Sequence, residues 1–316
     1  MSSAGADAAS TRRRVVVRLL QAAVTVALIA LVWQFADGAD AASVLLAANP
    51  WWIIAALLAL TVHTVLAAER WRLTAGALGL PLSRGRALRE YYLAQLVNST
   101  VPGGVVGDAG RAVRSRDHAG LTVAAQAVIV ERFAGQVVLL ATMVVGVTVT
   151  AVPGGLAWPA WMLGLAATIT GLSLVGLGLV LASTRLPGRL GQRLTDLART
   201  AATALISRRM IVPQLALSTG TTAAILAAFG FSALAVGLSL PIAAIVALVP
   251  LVLLTMLIPV TISGWGLREG AAVALLPLAG ATASESLAAS VTFGLVGLAA
   301  VLPGAAVVWM RSRERG

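Results

Sequence analysis

The sequence contains no cysteine and no lysine, and only two of its 316 residues are histidine. The absence of cysteine excludes disulfides, cysteine-ligated zinc and thiol chemistry. The histidines, His63 and His118, are too far apart in sequence for the paired spacing of a helical metal site. We therefore predict that the protein binds no metal and no other cofactor.

Charged residues are scarce as well. They make up 11% of the chain and hydrophobic residues make up 59%, whereas soluble domains carry about 25% charged residues. Several apolar runs approach or exceed the roughly 18 to 25 residues that cross a bilayer. The composition therefore predicts an all-α polytopic membrane protein.

The formal net charge is +11, and arginine supplies all 23 basic residues. Apart from Arg132 and Arg268, the arginines cluster outside the apolar runs, at 12–18, 70–89, 111–116, 185–209 and 311–315. This clustering is the positive-inside pattern of membrane proteins. It argues against nucleic-acid binding and predicts that both termini are cytoplasmic.

The chain is predicted to have three parts: a disordered cytoplasmic tail at 1–14, a single transmembrane domain at 15–310 and a basic cytoplasmic tail at 311–316. About six full spans are predicted, at residues 15–35, 50–68, 121–150, 158–183, 213–236 and 286–310. The loop at 184–209 has leucines at steps of three and four residues. This spacing predicts an amphipathic helix, either on the cytoplasmic face or packed against the bundle.

The surroundings of the second span give three smaller predictions. Trp51, Trp52 and Trp71 lie at its ends, where aromatic belts of membrane proteins sit. Arg70 is predicted to begin the cytoplasmic loop that follows. Within the span, His63 is expected to form a hydrogen bond that packs helices together, and proton transfer is the alternative.

Two further apolar segments, at about 87–116 and 242–280, are interrupted by proline, then glycines, then a charged pair. Proline ends an incoming helix, and glycine allows a tight turn. The first segment has arginines on both flanks and the second has none on either flank. We therefore predict two opposed re-entrant helical hairpins that enter from opposite faces. Two full crossings in each region remain the alternative, although the incoming arms are short for that.

With its neighbouring spans, each hairpin forms one half of an inverted repeat, at about 50–150 and 213–310. The spans at 15–35 and 158–183 are additional elements. Broken segments at matching positions of two repeats are typical of a binding site at the membrane midplane of a transporter.

Two adjacent charges, Glu131 and Arg132, interrupt the span at 121–150. Glu131 lies ten residues past Leu121, about 15 Å into a core of roughly 30 Å. A charge at this depth costs about 2.5–3.5 kcal/mol unless it is paired or faces a polar cavity. Neighbours on a helix point about 100° apart and do not pair, so we expect at least one contact with a hairpin charge. An ion pair that only locks the bundle is the alternative.

These observations define a candidate substrate-binding set, with no catalytic residue among its members. It comprises Asn98, Gly103, Gly104, Gly107, Asp108, Arg111, Glu131, Arg132, Ser263, Gly264, Gly266, Arg268 and Glu269.

The combined pattern resembles a known family. Its elements are Asn98 with Val-Pro-Gly-Gly-Val-Val-Gly-Asp-x-x-Arg, the pair Glu131-Arg132, and Pro-x-x-x-Ser-Gly-x-Gly-x-Arg268-Glu-Gly. They resemble the lysylphosphatidylglycerol synthase transmembrane-domain family, also described as flippase-like, over about 15–310. One departure is visible, because Val106 precedes Gly107-Asp108 where the family commonly has glycine.

The resemblance implies lipid translocation rather than aminoacyl-lipid synthesis, in the cytoplasmic membrane of a bacterium. Its expected cargo is a lipid with a polar headgroup, anionic or polyprenyl-linked, and its expected partner is a glycosyltransferase or lipid synthase. The arginines would attract phosphate, and the acids would balance charge, contact a cation or carry protons. An integral-membrane lipid transferase and a non-transporting scaffold for a synthase are the alternatives.

Overall fold

The computed structural model describes residues 3–101, 104–116, 119–152, 155–183, 188–258 and 260–313, and within them the regular structure is entirely helical. The α-helices are α1 Ser3–Phe35, α2 Gly38–Leu46, α3 Pro50–Ala77, α4 Arg84–Thr100, α5 Val106–Arg114, α6 Gly120–Thr150, α7 Ala160–Ser183, α8 Arg189–Leu205, α9 Ile211–Ala235, α10 Ile242–Leu254, α11 Leu267–Leu275, α12 Ala283–Ala300 and α13 Pro303–Arg313. Short 3₁₀ turns follow α10 at Thr255–Leu257 and α11 at Leu276–Ala279.

Five stretches of the described residues are long and apolar enough to cross a membrane, or six if the bent pair α1–α2 is one span. The all-α polytopic class is therefore confirmed. The last span is formed by α12 and α13 together, since the candidate span Ala283–Trp309 extends over both helices. Pro303 begins α13, which suits a residue that has no amide hydrogen to donate.

The N-terminal region differs from the sequence prediction. The backbone is helical from Ser3, where the sequence predicts a disordered tail, and the alanines at 4, 6, 8 and 9 favour this extension. The chain then bends by 91° into α2. Asp37 makes the corner with a left-handed φ of 50° and accepts a 3.4 Å hydrogen bond from the Asp40 amide. Asp37 therefore caps α2, and Asp40 lies in the first turn of that helix.

Helix α3 continues to Ala77, beyond the predicted end at residue 68. Arg70 is 4% exposed and Trp71 is fully buried, so the first is not a loop arginine and the second is not part of an interfacial belt. Trp51, at the other end of α3, is 76% exposed and fits the belt position. The sequence prediction failed at Arg70 because it treated every clustered arginine as a loop residue.

Helices α3 and α9 pack antiparallel along their whole length. The Asn49 amide donates to the Ala235 carbonyl at 2.7 Å, and at the opposite end the Gln214 side chain donates to Thr74 at 2.9 Å. Between them, His63 Nδ1 lies 3.0 Å from the Thr221 carbonyl oxygen, the packing hydrogen bond expected from the sequence. First helices of two inverted repeats must run in opposite directions, as these do.

The helix contacts repeat between the two halves. Helix α4 contacts α5 as α10 contacts α11, and α5 contacts α6 as α11 contacts α12. Across the halves, α6 contacts α9 as α12 contacts α3, and α6 contacts α10 as α13 contacts α4. This correspondence supports the predicted inverted repeat.

The broken segments form two helical hairpins, α4–α5 and α10–α11. Helix α4 has 17 residues, α10 has 13, and α5 and α11 have nine each. At 1.5 Å per residue the longest arm is about 26 Å, less than the roughly 30 Å of a bilayer core. The lengths suit re-entry, and the face from which each hairpin enters stays a prediction.

Helix α8 lies within the loop predicted to hold an amphipathic helix. It contacts α3, α6 and α7, and the Ala204 carbonyl accepts a 3.2 Å hydrogen bond from Gln214 on α9. The helix therefore packs against the bundle, which was one of the two predicted arrangements.

Candidate functional site

The first hairpin closes around Asn98 on α4. Its Oδ1 accepts a 2.7 Å hydrogen bond from the Gly107 amide, and its Nδ2 donates to Asp108 Oδ2 at 3.1 Å. A Cβ at Gly107 would lie 2.0 Å from the Ala94 carbonyl oxygen, so only glycine permits this approach of α5 to α4. Asp108 thereby lies in the first turn of α5, where a carboxylate interacts favourably with the helix dipole.

Five charged side chains then form a chain of alternating sign from α3 to α6. Arg70 donates to Glu131 Oε1 at 2.6 Å, and Arg111 donates to Glu131 Oε2 at 3.2 Å. Arg111 also lies 3.0 Å from Asp108 Oδ1, and Arg132 Nη2 lies 2.6 Å from Asp108 Oδ2. The prediction of at least one contact between the mid-span pair and a hairpin charge is therefore confirmed, by Glu131 with Arg111 and by Arg132 with Asp108, and Glu131 does not pair with Arg132.

The interior of this charge chain is buried and built around Arg111. Glu131 and Arg111 have 0% exposure. The Arg111 guanidinium lies between Trp71 and Tyr91, 4.5 and 4.6 Å from the ring centroids, at distances typical of cation–π contacts.

At one end of this charge chain, Arg70 forms hydrogen bonds with the second half of the protein. Its Nη1 donates to Ser218 at 3.3 Å and to Thr221 at 3.1 Å, both on α9. At the other end, the Arg132 side chain is 44% exposed. The charge chain thus begins at the buried Arg70, which connects the two halves, and ends at the partly exposed Arg132.

The second hairpin carries a smaller and separate cluster. Arg268 and Glu269 form an ion pair although they are sequence neighbours, and both are at most 2% exposed. Glu269 also accepts a 2.6 Å hydrogen bond from the Gly266 amide, which caps α11 and turns the carboxylate toward the helix start. The general expectation that neighbours on a helix cannot pair is therefore wrong in this first turn.

The Arg268 guanidinium has a second polar partner and two aromatic neighbours. It donates to Ser290 at 3.1 Å and lies 4.8 Å from the Trp265 ring centroid and 5.5 Å from that of Phe293. Gly266 has a φ of 86°, and a Cβ there would lie 2.6 Å from the Leu28 side chain on α1. This glycine therefore seats the second hairpin against α1 rather than facing an open site.

The breaks of both hairpins line one cavity of about 540 Å³. Gly104 and Asp108 contribute from the first hairpin, Ser263 and Gly264 from the second, and Arg132 from α6. Most of the remaining lining is apolar, with Gln136 and Thr261 as further polar members. A mostly apolar cavity of this size with a few polar groups is typical of a small-molecule or lipid-headgroup site.

A second cavity of about 140 Å³ lies beside the first and is lined by Arg268, His63 and Gln95. Ser263 and Met256 line both cavities. Charged residues of the two halves therefore line two adjacent cavities, Asp108 and Arg132 the larger one and Arg268 the smaller one, and not one common site.

The candidate set thus divides into recognisable groups. One connected cluster comprises Asn98, Gly107, Asp108, Arg111, Glu131 and Arg132. The cavity beside this cluster is lined by Gly104, Ser263 and Gly264. The second hairpin carries the remaining described members, Gly266, Arg268 and Glu269. Gly103 lies outside the described residues. Sequence reasoning missed Arg70, Trp71, Tyr91, Gln136 and Thr261 as site residues.

Within the described part of the chain, no three acidic, histidine or cysteine side chains converge as metal ligands would. The profile of the family described as "Lysylphosphatidylglycerol synthase TM region" matches residues 18–304. No curated protein matches the chain.

Proposed function

The chain belongs to the lysylphosphatidylglycerol synthase TM region family, and on that premise we propose that it is a flippase-like lipid transporter. It carries a lipid whose headgroup is polar, anionic or polyprenyl-linked, across the cytoplasmic membrane of a bacterium, with both of its termini in the cytoplasm. A glycosyltransferase or a lipid synthase is the expected partner that makes or consumes this lipid.

The observation that carries this proposal is the cavity of about 540 Å³ between the two hairpin breaks. Its lining is mostly apolar but includes the Asp108–Arg132 ion pair. A lipid likewise combines apolar acyl chains with a polar headgroup. Inverted repeats with broken helices expose a site of this kind to each face in turn. The headgroup occupies the cavity while the acyl chains stay in the bilayer.

The charged side chains have different roles in binding the lipid headgroup. Arg132, half-exposed in the cavity, attracts the phosphate of the headgroup, while Asp108 holds the guanidinium in place at 2.6 Å. Arg111 and Arg268 are buried against aromatic rings. They influence the cavities through their positive electrostatic potential and through the acidic side chains that they pair with. The acids balance these cations, so that the protein does not carry an uncompensated charge through the membrane.

Reconstitution into liposomes tests the proposal. Purified protein should accelerate the loss of fluorescence of an acyl-labelled anionic lipid when an impermeant reductant is added outside. Arg132→Ala should slow this movement by at least about tenfold, since a charge-assisted contact contributes about 1.5–3 kcal/mol. Arg72→Ala is the matched control, because Arg72 pairs with Glu69 at the protein surface.

The rival roles give different results in the same vesicles. Unchanged lipid movement in Arg132→Ala and Arg268→Ala proteins would remove the proposed site. Conversion of the headgroup to a new product by pure protein would indicate a lipid transferase. A protein that moves no lipid and makes no product, yet co-purifies with a synthase, would act as a scaffold.

A further inference from the structure

Among the described residues, three buried polar atoms in the wall of the larger cavity have no hydrogen-bond partner: Asp108 Oδ1, Gln136 Oε1 and Thr261 Oγ1. Asp108 Oδ1 has a charged partner in Arg111 at 3.0 Å, whereas Gln136 Oε1 and Thr261 Oγ1 are the two uncharged atoms of the three. Thr261 is 2% exposed, so bulk water does not reach its hydroxyl. Buried polar groups are almost always paired in native proteins, and a buried group without a partner calls for an explanation.

The position of Thr261 explains why the protein does not pair it. Threonines inside the helices donate to the carbonyl one turn earlier, as Thr142 does to Val138 at 2.8 Å and Thr148 does to Val144 at 2.7 Å. Thr261 stands outside the α-helices, in the break between α10 and α11, so it is not part of a continuous helix that would supply the carbonyl one turn earlier. The adjacent Ile262 amide is fixed by Thr25 on α1 at 3.0 Å, which holds this part of the break in place.

Gln136 lies on the same face of α6 as the exposed cation. It follows Arg132 by four residues, and side chains at this spacing are neighbours on a helix. The cavity wall therefore offers a guanidinium and a carbonyl oxygen from α6, and a hydroxyl from the break between α10 and α11.

The charge chain beside the cavity is not neutral. It contains Arg70, Arg111 and Arg132 against Glu131 and Asp108, which leaves a formal charge of +1. The cluster on the second hairpin pairs one arginine with one glutamate, so it adds no net formal charge. In a low-dielectric setting an excess cation favours an anion and disfavours a second cation.

Building on the proposed transport function, we propose that the cavity selects lipids with a hydroxyl-bearing, net-anionic phosphodiester headgroup. Arg132 binds the phosphate, while Gln136 and Thr261 bind the hydroxyls. The two polar side chains are thus specificity-determining residues. Lipids whose headgroup carries a net positive charge are rejected by the same field.

Three acyl-labelled lipids in the liposome assay test the selection. Phosphatidylglycerol is anionic with two hydroxyls, phosphatidylmethanol is anionic without a hydroxyl, and lysylphosphatidylglycerol carries a net positive charge. The wild-type protein should move phosphatidylglycerol about fivefold to tenfold faster than phosphatidylmethanol, the size of effect expected of one or two hydrogen bonds. It should move the cationic lipid slowest.

Substitutions then assign the preference to the two side chains. Thr261→Val and Gln136→Leu keep the side-chain size and remove the polar atom, so the rate for phosphatidylglycerol should fall to that for phosphatidylmethanol. Thr261→Ser retains the hydroxyl and should retain the preference. Thr148→Val is the matched control, because this threonine satisfies its own helix.

The outcomes separate this inference from the proposal beneath it. If the wild-type protein moves none of the three lipids, the transport function itself fails. If it moves phosphatidylglycerol and phosphatidylmethanol equally, or moves the cationic lipid fastest, transport stands and the selection is wrong. A Thr261→Val or Gln136→Leu protein that slows both anionic lipids equally would also overturn it.

Discussion

The central residue of this protein is Glu131, a carboxylate with 0% exposure in a predicted span. Its two oxygens accept hydrogen bonds from Arg70 at 2.6 Å and Arg111 at 3.2 Å. It therefore joins α3 of the first half, through Arg70, to the α5 arm of the first hairpin. Removal of one member of a buried ion pair leaves the other charge uncompensated and is strongly destabilising.

Glu131→Gln should accordingly destabilise the protein by about 3–5 kcal/mol, because two buried guanidinium groups lose their common anion. The measurement is the midpoint of thermal unfolding of the detergent-solubilised protein. Glu69→Gln is the control, since Glu69 pairs with Arg72 at the surface and such pairs contribute about 0–1 kcal/mol. Equal midpoints for the two variants would contradict the central role of Glu131.

At this scale the sequence predicted part of the site. Glu131, Arg132 and Asp108 were identifiable because each interrupts an apolar or glycine-rich pattern at a position where a charge is costly. Arg70 was not, because it follows Glu69 within a run of charges that looks like a loop. Only the continuation of α3 to Ala77 places it in the bundle, and that continuation depends on packing against α9.

Among the elements, the first hairpin depends on one glycine. Gly107 brings α5 so close to α4 that an added Cβ would meet the Ala94 carbonyl oxygen at 2.0 Å. Backbone cannot move aside as a flexible side chain can. The approach also sets the Asn98–Asp108 contact, and through it the anion that holds Arg132 in the cavity.

We therefore expect Gly107→Ala to separate the two arms, destabilise the protein by about 1–3 kcal/mol and reduce lipid movement. Gly164→Ala, on α7, is the matched control, since nothing lies within 4 Å of the added methyl group and alanine favours a helix. Thermal unfolding and the liposome assay on both variants check the prediction. An unimpaired Gly107→Ala protein would show that the close approach is not required.

Helix bounds were predictable where apolar composition alone decides them. The span predicted at 121–150 is α6 at Gly120–Thr150, and that at 213–236 is α9 at Ile211–Ala235. The 91° bend between α1 and α2 was not predicted. It depends on the left-handed Asp37 and on Gly38, where a Cβ would lie 2.1 Å from the Trp33 ring, and such contacts leave no periodic signal.

The molecule as a whole is organised by its repeat. The hairpin breaks, about 160 residues apart in sequence, line one cavity because α3 and α9 pack antiparallel and carry the halves with them. Arg70 extends this interface into the charge chain by donating to Ser218 and Thr221 on α9. A relative movement of the halves would therefore change the shape of the cavity and, at the same time, disturb the hydrogen bonds that hold the charge chain in place.

The orientation of the hairpins can be tested directly because the natural chain has no cysteine. Each single substitution then introduces one reactive thiol. Gly85→Cys and Arg116→Cys place thiols at the two outer ends of the first hairpin, and Ser239→Cys and Thr282→Cys at those of the second. All four positions are exposed in the structure.

If the hairpins are re-entrant from opposite faces, an impermeant maleimide added to intact cells should label the Ser239 and Thr282 variants only. The Gly85 and Arg116 variants should react after the membrane is opened, since their arginine-rich surroundings are retained in the cytoplasm. A permeant maleimide confirms that every thiol is reactive. Labelling of the two ends of one hairpin from different faces would mean that the segment crosses the membrane. Labelling of all four from one face would remove the opposed arrangement on which alternating exposure of the cavity depends.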